Sequence, residues 1–214
     1  MTAFALVRHG ETEWNRARRI QGSTDIPLND TGRQQAGAAG QLLAPHAWSR
    51  IVASPLSRAE ETATIIATQA GLGRPDLDAA FVERNYGEAE GLTGAELDAR
   101  FPDGVEPPGR ETREAVAERV LAGLHRLAEQ HPGESIIIVA HGGVIRSVLE
   151  SVAPGRHREP ITNGSVHSFL HAKGGLELVR FDDPLDEQSL FPLAEDYLDQ
   201  NPLAHREHDR DGAA

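Results

Sequence analysis

Apolar positions along this chain follow two different periods. Residues 4–8, "RIVAS" at 50–54 and "SIIIVA" at 135–140 are short apolar runs of strand length, and each is followed by polar or Gly-containing sequence that leads toward a helix. Between them, apolar residues recur every three or four positions. "TGRQQAGAAGQLLAP" (31–45) predicts a helix capped by Asn29 or Asp30 and stopped at Pro45. Residues 54–71 predict a second, with Ser54 as N-cap, Pro55 at the first helical position, Ala59, Ala63, Ile66 and Ala70 on one face, and Gly71 beyond its end. Residues 111–130 place Val116, Val120, Leu124 and Leu127 on one stripe, and Pro132-Gly133 closes that helix before the 135–140 strand. A last strand falls near 176–181. Alternating strands and helices predict an α/β domain whose mainly parallel sheet is covered on both faces.

Two segments depart from this alternation. Residues 84–110 are rich in Gly, Pro and charge, which predicts an irregular, lid-like excursion holding one short helix. Beyond a domain spanning 1–181, residues 182–214 are acidic and poor in core residues apart from Leu190, Phe191, Leu193, Tyr197 and Leu198. They predict a tail partly docked on the surface that frays at its end.

The 214 residues, 39% of them hydrophobic, can bury one sizeable core. A formal charge of -12 makes nucleic acid and anionic membrane surfaces poor partners. The absence of cysteine removes disulfides, thiolate zinc sites and cysteine nucleophiles together. No basic leader precedes the first apolar run, and no stretch approaches the ~20 apolar residues of a membrane span, so the cytoplasm is the expected location. Monomer and homodimer both remain open.

In open α/β sheets, ligands bind beyond the carboxyl ends of the strands. Three segments deliver polar groups there: the first gives Arg8 and His9, the second Ser54 and Arg58, the third His141 with Gly142 and Gly143 opening a helix. Two arginines, two histidines and free helix N-terminal amides suit an anion, above all phosphate. A helix N-terminus offers such an anion about 0.3–1 kcal/mol, whereas each hydrogen bond from a cation gives roughly 1.5–3, so the arginines should dominate binding. Binding alone does not need histidine. A neutral imidazole can attack phosphorus, and the guanidinium neighbours would keep His9 neutral, while His141 could donate to the phosphoryl oxygens. Taken singly, a strand-end histidine or a helix arginine is more often structural or solvated; four on one rim are hard to assemble by accident. The other histidines, His205 and His208 included, form no metal constellation, and no metal is expected.

"LVRHGETEWN", "SPLSRAEETA", "ERNYGEAEG" and "VAHGG", in this order between about residues 4 and 170, resemble the histidine phosphatase superfamily, also called phosphoglycerate mutase-like. The resemblance implies a three-layer α/β/α fold, a covalent phosphohistidine and no cofactor. By motif, His9 looks like the nucleophile, Arg8, Arg58 and His141 like the phosphate pocket, and Glu83 like the proton donor. Asn15 and Gln21-Gly22-Ser23 match the loop beside the phosphate, with Tyr86 and Gly142 as further binding residues. "EAEGL" and the "GRET" before the 111–130 helix are similar to the phosphatase branch, while "ERNYG" is similar to the mutases. Hydrolysis of a small phosphorylated metabolite is therefore expected. Alternatives are a phosphoglycerate mutase, which would need a 2,3-bisphosphoglycerate primer, and a non-catalytic phosphate-binding regulatory domain. Arg110 and Arg113 read as a solvated helix start, with contact to an acidic substrate as the alternative, and Asn163, Ser165 and His167, in a segment similar to one of the family that leads into a strand, as structural.

Overall fold

In the computed structural model, residues 1–102, 105–186 and 189–191 are described. Six strands form one sheet: β1 (Thr2–Arg8), β2 (Arg50–Ala53), β3 (Asp76–Leu77), β4 (Ser135–Ala140), β5 (Val166–Ala172) and β6 (Gly175–Arg180). Their spatial order is β3-β2-β4-β1-β5-β6. The first four are parallel, whereas β5 runs antiparallel to β1, and β6 to β5. The helices are α1 (Glu13–Arg16), α2 (Asp30–Leu43), α3 (Ser57–Gln69), α4 (Gly94–Arg100), α5 (Arg113–Gln130) and α6 (Gly142–Val152).

Strand parity explains the three layers. Phe4, Leu6, Ile136 and Ile138 meet Val116, Val120 and Leu124 of α5 and Val144 and Val148 of α6. Their neighbours Ala5, Val7, Ile137 and Val139 point the opposite way, into Ala39 and Leu43 of α2 and Ala59, Ala63 and Ile66 of α3. A strand buried on both faces carries apolar residues at every position, which is why β4 reads as an unbroken run.

The structure corrects several expectations. α3 starts at Ser57 rather than beside Ser54; Leu56 is its N-cap, without a side-chain bond, and Asp25 Oδ1 accepts from Ser57 N at 2.8 Å instead. Ala70 is only half-buried, while Thr62 and Ala67 join the buried face. Asn29, not Asp30, caps α2, its Oδ1 accepting from Gly32 N. β3 was not expected as a strand, and β5 was expected only through the resemblance of its leading segment, not from its own apolar pattern. In β5, His167 and Ser168 are fully buried polar residues: His167 Nδ1 accepts from Asp182 N at 3.0 Å, and the Ser168 hydroxyl donates to Asp183. Those partners remove the penalty that makes a polar position read as exposed.

The 84–110 excursion holds a 3-10 turn at Gly87–Ala89 and the short helix α4, capped by Thr93 and Glu96 in a capping box. Past β6, Leu185 and Phe191 are buried; Phe191 packs on Trp48 with ring centroids 4.3 Å apart, and its carbonyl oxygen lies 2.8 Å from His46 Nδ1. Leu190 packs against the same cluster. Leu193, Tyr197, Leu198, His205 and His208 lie outside the described residues. No helix among the described residues is long and apolar enough to cross a membrane.

Candidate active site

Because β1, β2 and β4 are parallel and in register, their carboxyl ends reach one edge together. Arg8 pairs with Ala140, and Ala53 with Val139. The next residues, His9, His141 and Ser54, therefore arrive side by side. The His9 and His141 rings lie 5.0 Å apart between centroids, edge to face at 60°.

The hydrogen bonds fix the proton on each ring. His9 Nδ1 stands 2.6 Å from Gly10 O, a group that can only accept, so Nδ1 carries the proton and Nε2 keeps its lone pair. Burial, then the charges of Arg58 and Arg8, hold His9 well below the ordinary histidine range and thus neutral. Arg58 Nε donates to His141 Nδ1 at 3.3 Å, which puts the His141 proton on Nε2, where it is donated to Ser54 Oγ at 2.8 Å. Burial and the Arg58 charge keep this ring neutral too. Both His141 nitrogens are thus engaged, whereas the sequence suggests a group free to donate to a phosphoryl oxygen. Gln21 also meets the Arg58 guanidinium. Its amide oxygen can accept from Arg58 Nε at 3.0 Å and Nη1 at 3.1 Å, with its nitrogen donating to Thr12 Oγ1 at 2.6 Å.

A cavity of about 390 Å³ opens onto His9. Of the residues singled out from sequence, Arg8, His9, Asn15, Gln21, Glu83, Tyr86, Gly142 and Gly143 line it. Arg58 and His141 do not; both are fully buried. The Arg58 fork is anchored by backbone, Nη2 donating to Gly22 O at 2.8 Å and Nη1 to Thr24 O at 3.0 Å, and burial pushes its pKa down to about 10, still cationic at neutral pH. Arg8 donates from Nη1 to Ile161 O at 2.5 Å, while its buried Nε has no partner among the described residues. An unpartnered guanidinium donor beside a helix N-terminus suits an anion.

Glu83 closes the opposite wall. Its Oε2 accepts from Gly143 N, in the first turn of α6, at 2.9 Å, and its Oε1 from Arg84 N at 2.8 Å. Burial raises its pKa above the ordinary carboxylate value, against those two bonds and the charges of Arg58 and Arg8. The Tyr86 phenol is pushed up to about 12 by burial and by Glu83, so it stays protonated. Close packing dictates the glycine at 143: a Cβ there would strike Glu83 Oε1 and lie 3.3 Å from the Tyr86 hydroxyl. Among the described residues, no group of three or more His, Cys, Asp or Glu side chains could hold a metal ion.

Residues 4–184 match the family model for the histidine phosphatase superfamily, branch 1. The chain belongs to that superfamily. It is 43% identical over 155 residues to an uncharacterized phosphatase, PhoE, of Bacillus subtilis, covering 72% of this chain and 79% of the relative. It is also 31% identical over 220 residues to a 2,3-bisphosphoglycerate-dependent phosphoglycerate mutase of Cytophaga hutchinsonii, covering 95% and 100%. Among solved structures, a mutant phosphoserine phosphatase of Entamoeba histolytica in complex with phosphoserine superposes with a TM-score of 0.74 at 30% identity, over 86% of this chain and 98% of that one.

Within this histidine phosphatase, two further predicted residues, Gly22 and Ser23, sit apart from the cavity lining. Gly22 serves through its carbonyl on Arg58, and Ser23 donates from N (2.9 Å) and Oγ (3.1 Å) to Glu90 Oε1. Glu90, which also accepts from Thr24 N at 2.9 Å, is the organiser of that loop. Burial works against its charge, but the Thr24 and Ser23 bonds outweigh it and hold its pKa low. "EGL" at 90–92 carried that signal. Arg19, Arg146 and Ile161 line the cavity without having been singled out. Asn163 braces the strand end, donating to His9 O at 2.9 Å and to Asn15 Oδ1 at 3.2 Å.

Proposed function

We propose that this histidine phosphatase hydrolyses small phosphomonoesters through a covalent phosphohistidine on His9, without a metal. The observation that carries the reading is the neutral His9 ring, its Nδ1 proton held by Gly10 O, in a cavity that Glu83 and Arg8 also line. Arg8 and Arg58 supply positive charge for the phosphoryl group, helped by the N-terminus of α6. In the first step His9 Nε2 bonds to phosphorus as the ester P–O bond breaks, and Glu83 delivers its proton to the departing oxygen. In the second, water attacks phosphorus, the P–N bond breaks and Glu83 takes the water's proton, restoring the free enzyme and releasing phosphate. The Gly10 carbonyl stabilises the imidazolium that phosphorylation of Nε2 creates.

The test is hydrolysis of p-nitrophenyl phosphate in the presence of a chelator. Turnover abolished by His9→Ala, together with an acid-labile, base-stable phosphoprotein trapped in the wild type, supports the reading; undiminished turnover by His9→Ala overturns it. The near full-length similarity to a mutase supports a second reading, return of the phosphoryl group to a substrate hydroxyl. Conversion of 3-phosphoglycerate to 2-phosphoglycerate after priming with 2,3-bisphosphoglycerate would establish it. In either case the partner is a small phosphorylated metabolite, and the cytoplasm is the compartment that supplies it.

A further inference from the structure

We propose that Arg119 is a positioning residue for the proton donor: from outside the cavity it fixes the backbone that carries Glu83, and so sets where the Glu83 carboxyl meets the leaving oxygen. The inference rests on the phosphomonoesterase reading, in which Glu83 delivers and recovers the proton. Arg119 lies two turns into α5. It lines neither the cavity that opens onto His9 nor the neighbouring one, of about 660 Å³, which Arg84, Arg110, Arg113 and Arg146 help to wall.

A guanidinium carries five N–H donors, and on Arg119 all five are committed within the protein. Nη1 donates to Ala80 O at 2.9 Å and to Val82 O at 2.7 Å, and Nη2 to Glu83 O at 3.4 Å. Nε and Nη2 donate to the two carboxylate oxygens of Glu111, at 2.8 Å and 3.0 Å. Glu111 in turn grips the far side of Glu83. Its Oε2 accepts from Asn85 N at 3.2 Å, its N donates to Asn85 O at 2.8 Å, and its O accepts from Arg84 Nε at 2.7 Å. The irregular backbone on both sides of Glu83 is therefore tied to one ion pair whose side chains are only 26% and 22% exposed. The anchor is firm, because Val116 and Val120, on either side of Arg119 in α5, share a core cluster with Phe81.

The chemistry of Glu83 explains why the hold is indirect. Among the described residues, both hydrogen bonds to its carboxylate come from backbone N–H groups, those of Gly143 and Arg84. An arginine fork laid directly on the carboxylate would place it more firmly, but would favour the ionised form and strip the acid of its proton. Glu111 shows that outcome: its bond to Arg119 holds its pKa low. Glu83 keeps a pKa raised by burial. By gripping the carbonyls of residues 80, 82 and 83, Arg119 places the carboxyl without pairing with it. Proton transfer requires an approach of about 2.6–3.2 Å between heavy atoms, so a small drift of this backbone takes the acid out of reach.

The test compares kcat/KM for glycerol 3-phosphate, whose leaving alkoxide needs a proton, with that for p-nitrophenyl phosphate, whose leaving group does not, in Arg119→Gln and Glu111→Ala. Both variants should lose roughly tenfold to a hundredfold on glycerol 3-phosphate, part of the ~10²–10⁴ that a general acid supplies, and no more than about threefold on p-nitrophenyl phosphate. Inhibition by inorganic phosphate should stay within about threefold, since Arg8 and Arg58 are untouched. The alkaline limb for glycerol 3-phosphate should move to lower pH, because a loosened Glu83 loses the burial that raises its pKa. Placed on Glu83→Gln, Arg119→Gln should bring no further loss beyond about threefold. A merely structural arginine would lower both substrates alike and add its loss to that of Glu83→Gln; either result overturns the assignment. Should Arg119→Gln not fold, Glu111→Ala carries the same comparison. A wild type that turns over neither ester sinks the phosphomonoesterase reading instead, and amide hydrogen exchange then reads the hold by itself. Protection lost across 80–85 and kept across 5–8 in Arg119→Gln shows it, whereas unchanged protection across 80–85 overturns it.

Discussion

Ser54 Oγ stands 2.8 Å from Nε2 of His141, a residue 87 positions further along the chain. With Arg58 Nε on the other ring nitrogen, the serine fixes which tautomer His141 adopts. Ser54→Ala leaves a buried N–H without an acceptor, a loss of about 1–3 kcal/mol. We expect lower stability in urea melts and a lower kcat, with Ser54→Thr retaining more of both than Ser54→Ala.

The pH profile follows from two opposed shifts. His9 must be neutral to attack, and its lowered pKa moves the acid limb of kcat/KM to well below the usual histidine value of about 6.5. Glu83 must be protonated to serve the leaving group, and its raised pKa carries that form above the usual glutamate value, so activity falls on the alkaline side as Glu83 loses its proton. In Glu83→Gln the alkaline limb should disappear. Alkyl phosphates should then lose ~10²–10⁴-fold in kcat, while p-nitrophenyl phosphate, whose leaving group needs no proton, loses far less. An equal loss for both substrates would remove Glu83 from proton transfer.

Gly10 and Gly142 separate packing from chemistry. A Cβ on Gly10 would run into the backbone carbonyl of Gly32, the second residue after the start of α2. One on Gly142 would meet Arg8 atoms at 3.6–3.9 Å, ordinary contact. Gly10→Ala should therefore lower the melting temperature and activity together, by about 1–3 kcal/mol of overpacking. Gly142→Ala should keep the wild-type melting temperature and change only the kinetics, which thermal denaturation beside a kcat/KM assay would read.

Among the described residues past the last strand, Phe191 packs against the body. Phe191→Ala removes a buried ring from Trp48 and should cost about 3 kcal/mol. A red shift in tryptophan emission, read at the same time as the denaturation curve, locates the loss at Trp48, since the other tryptophan, Trp14, lies in α1.

The sequence by itself determined the strands that carry the site. An apolar run long enough to be buried on both faces and cut off by a polar residue marks β1, β2 and β4, and its last residues name Arg8, His9, Ser54 and His141. Local chemistry of that kind needs no knowledge of the rest of the chain. Where a polar residue is buried with its own distant partner, the pattern fails: β5 was hidden because His167 and Ser168 find their partners in Asp182 and Asp183 only after the chain turns back through β6. Ser54 misled for the same reason, since its acceptor is more useful to His141 than to the start of α3. Parallel register decided that His9 and His141 meet. The proton position on His141, the pairing of Glu83 with Gly143, and the gathering of Arg84, Arg110, Arg113 and Arg146 around one cavity belong to tertiary structure alone. Each depends on which buried charge finds a partner and which is left without one, and that is settled only when segments far apart in the chain share one dry space.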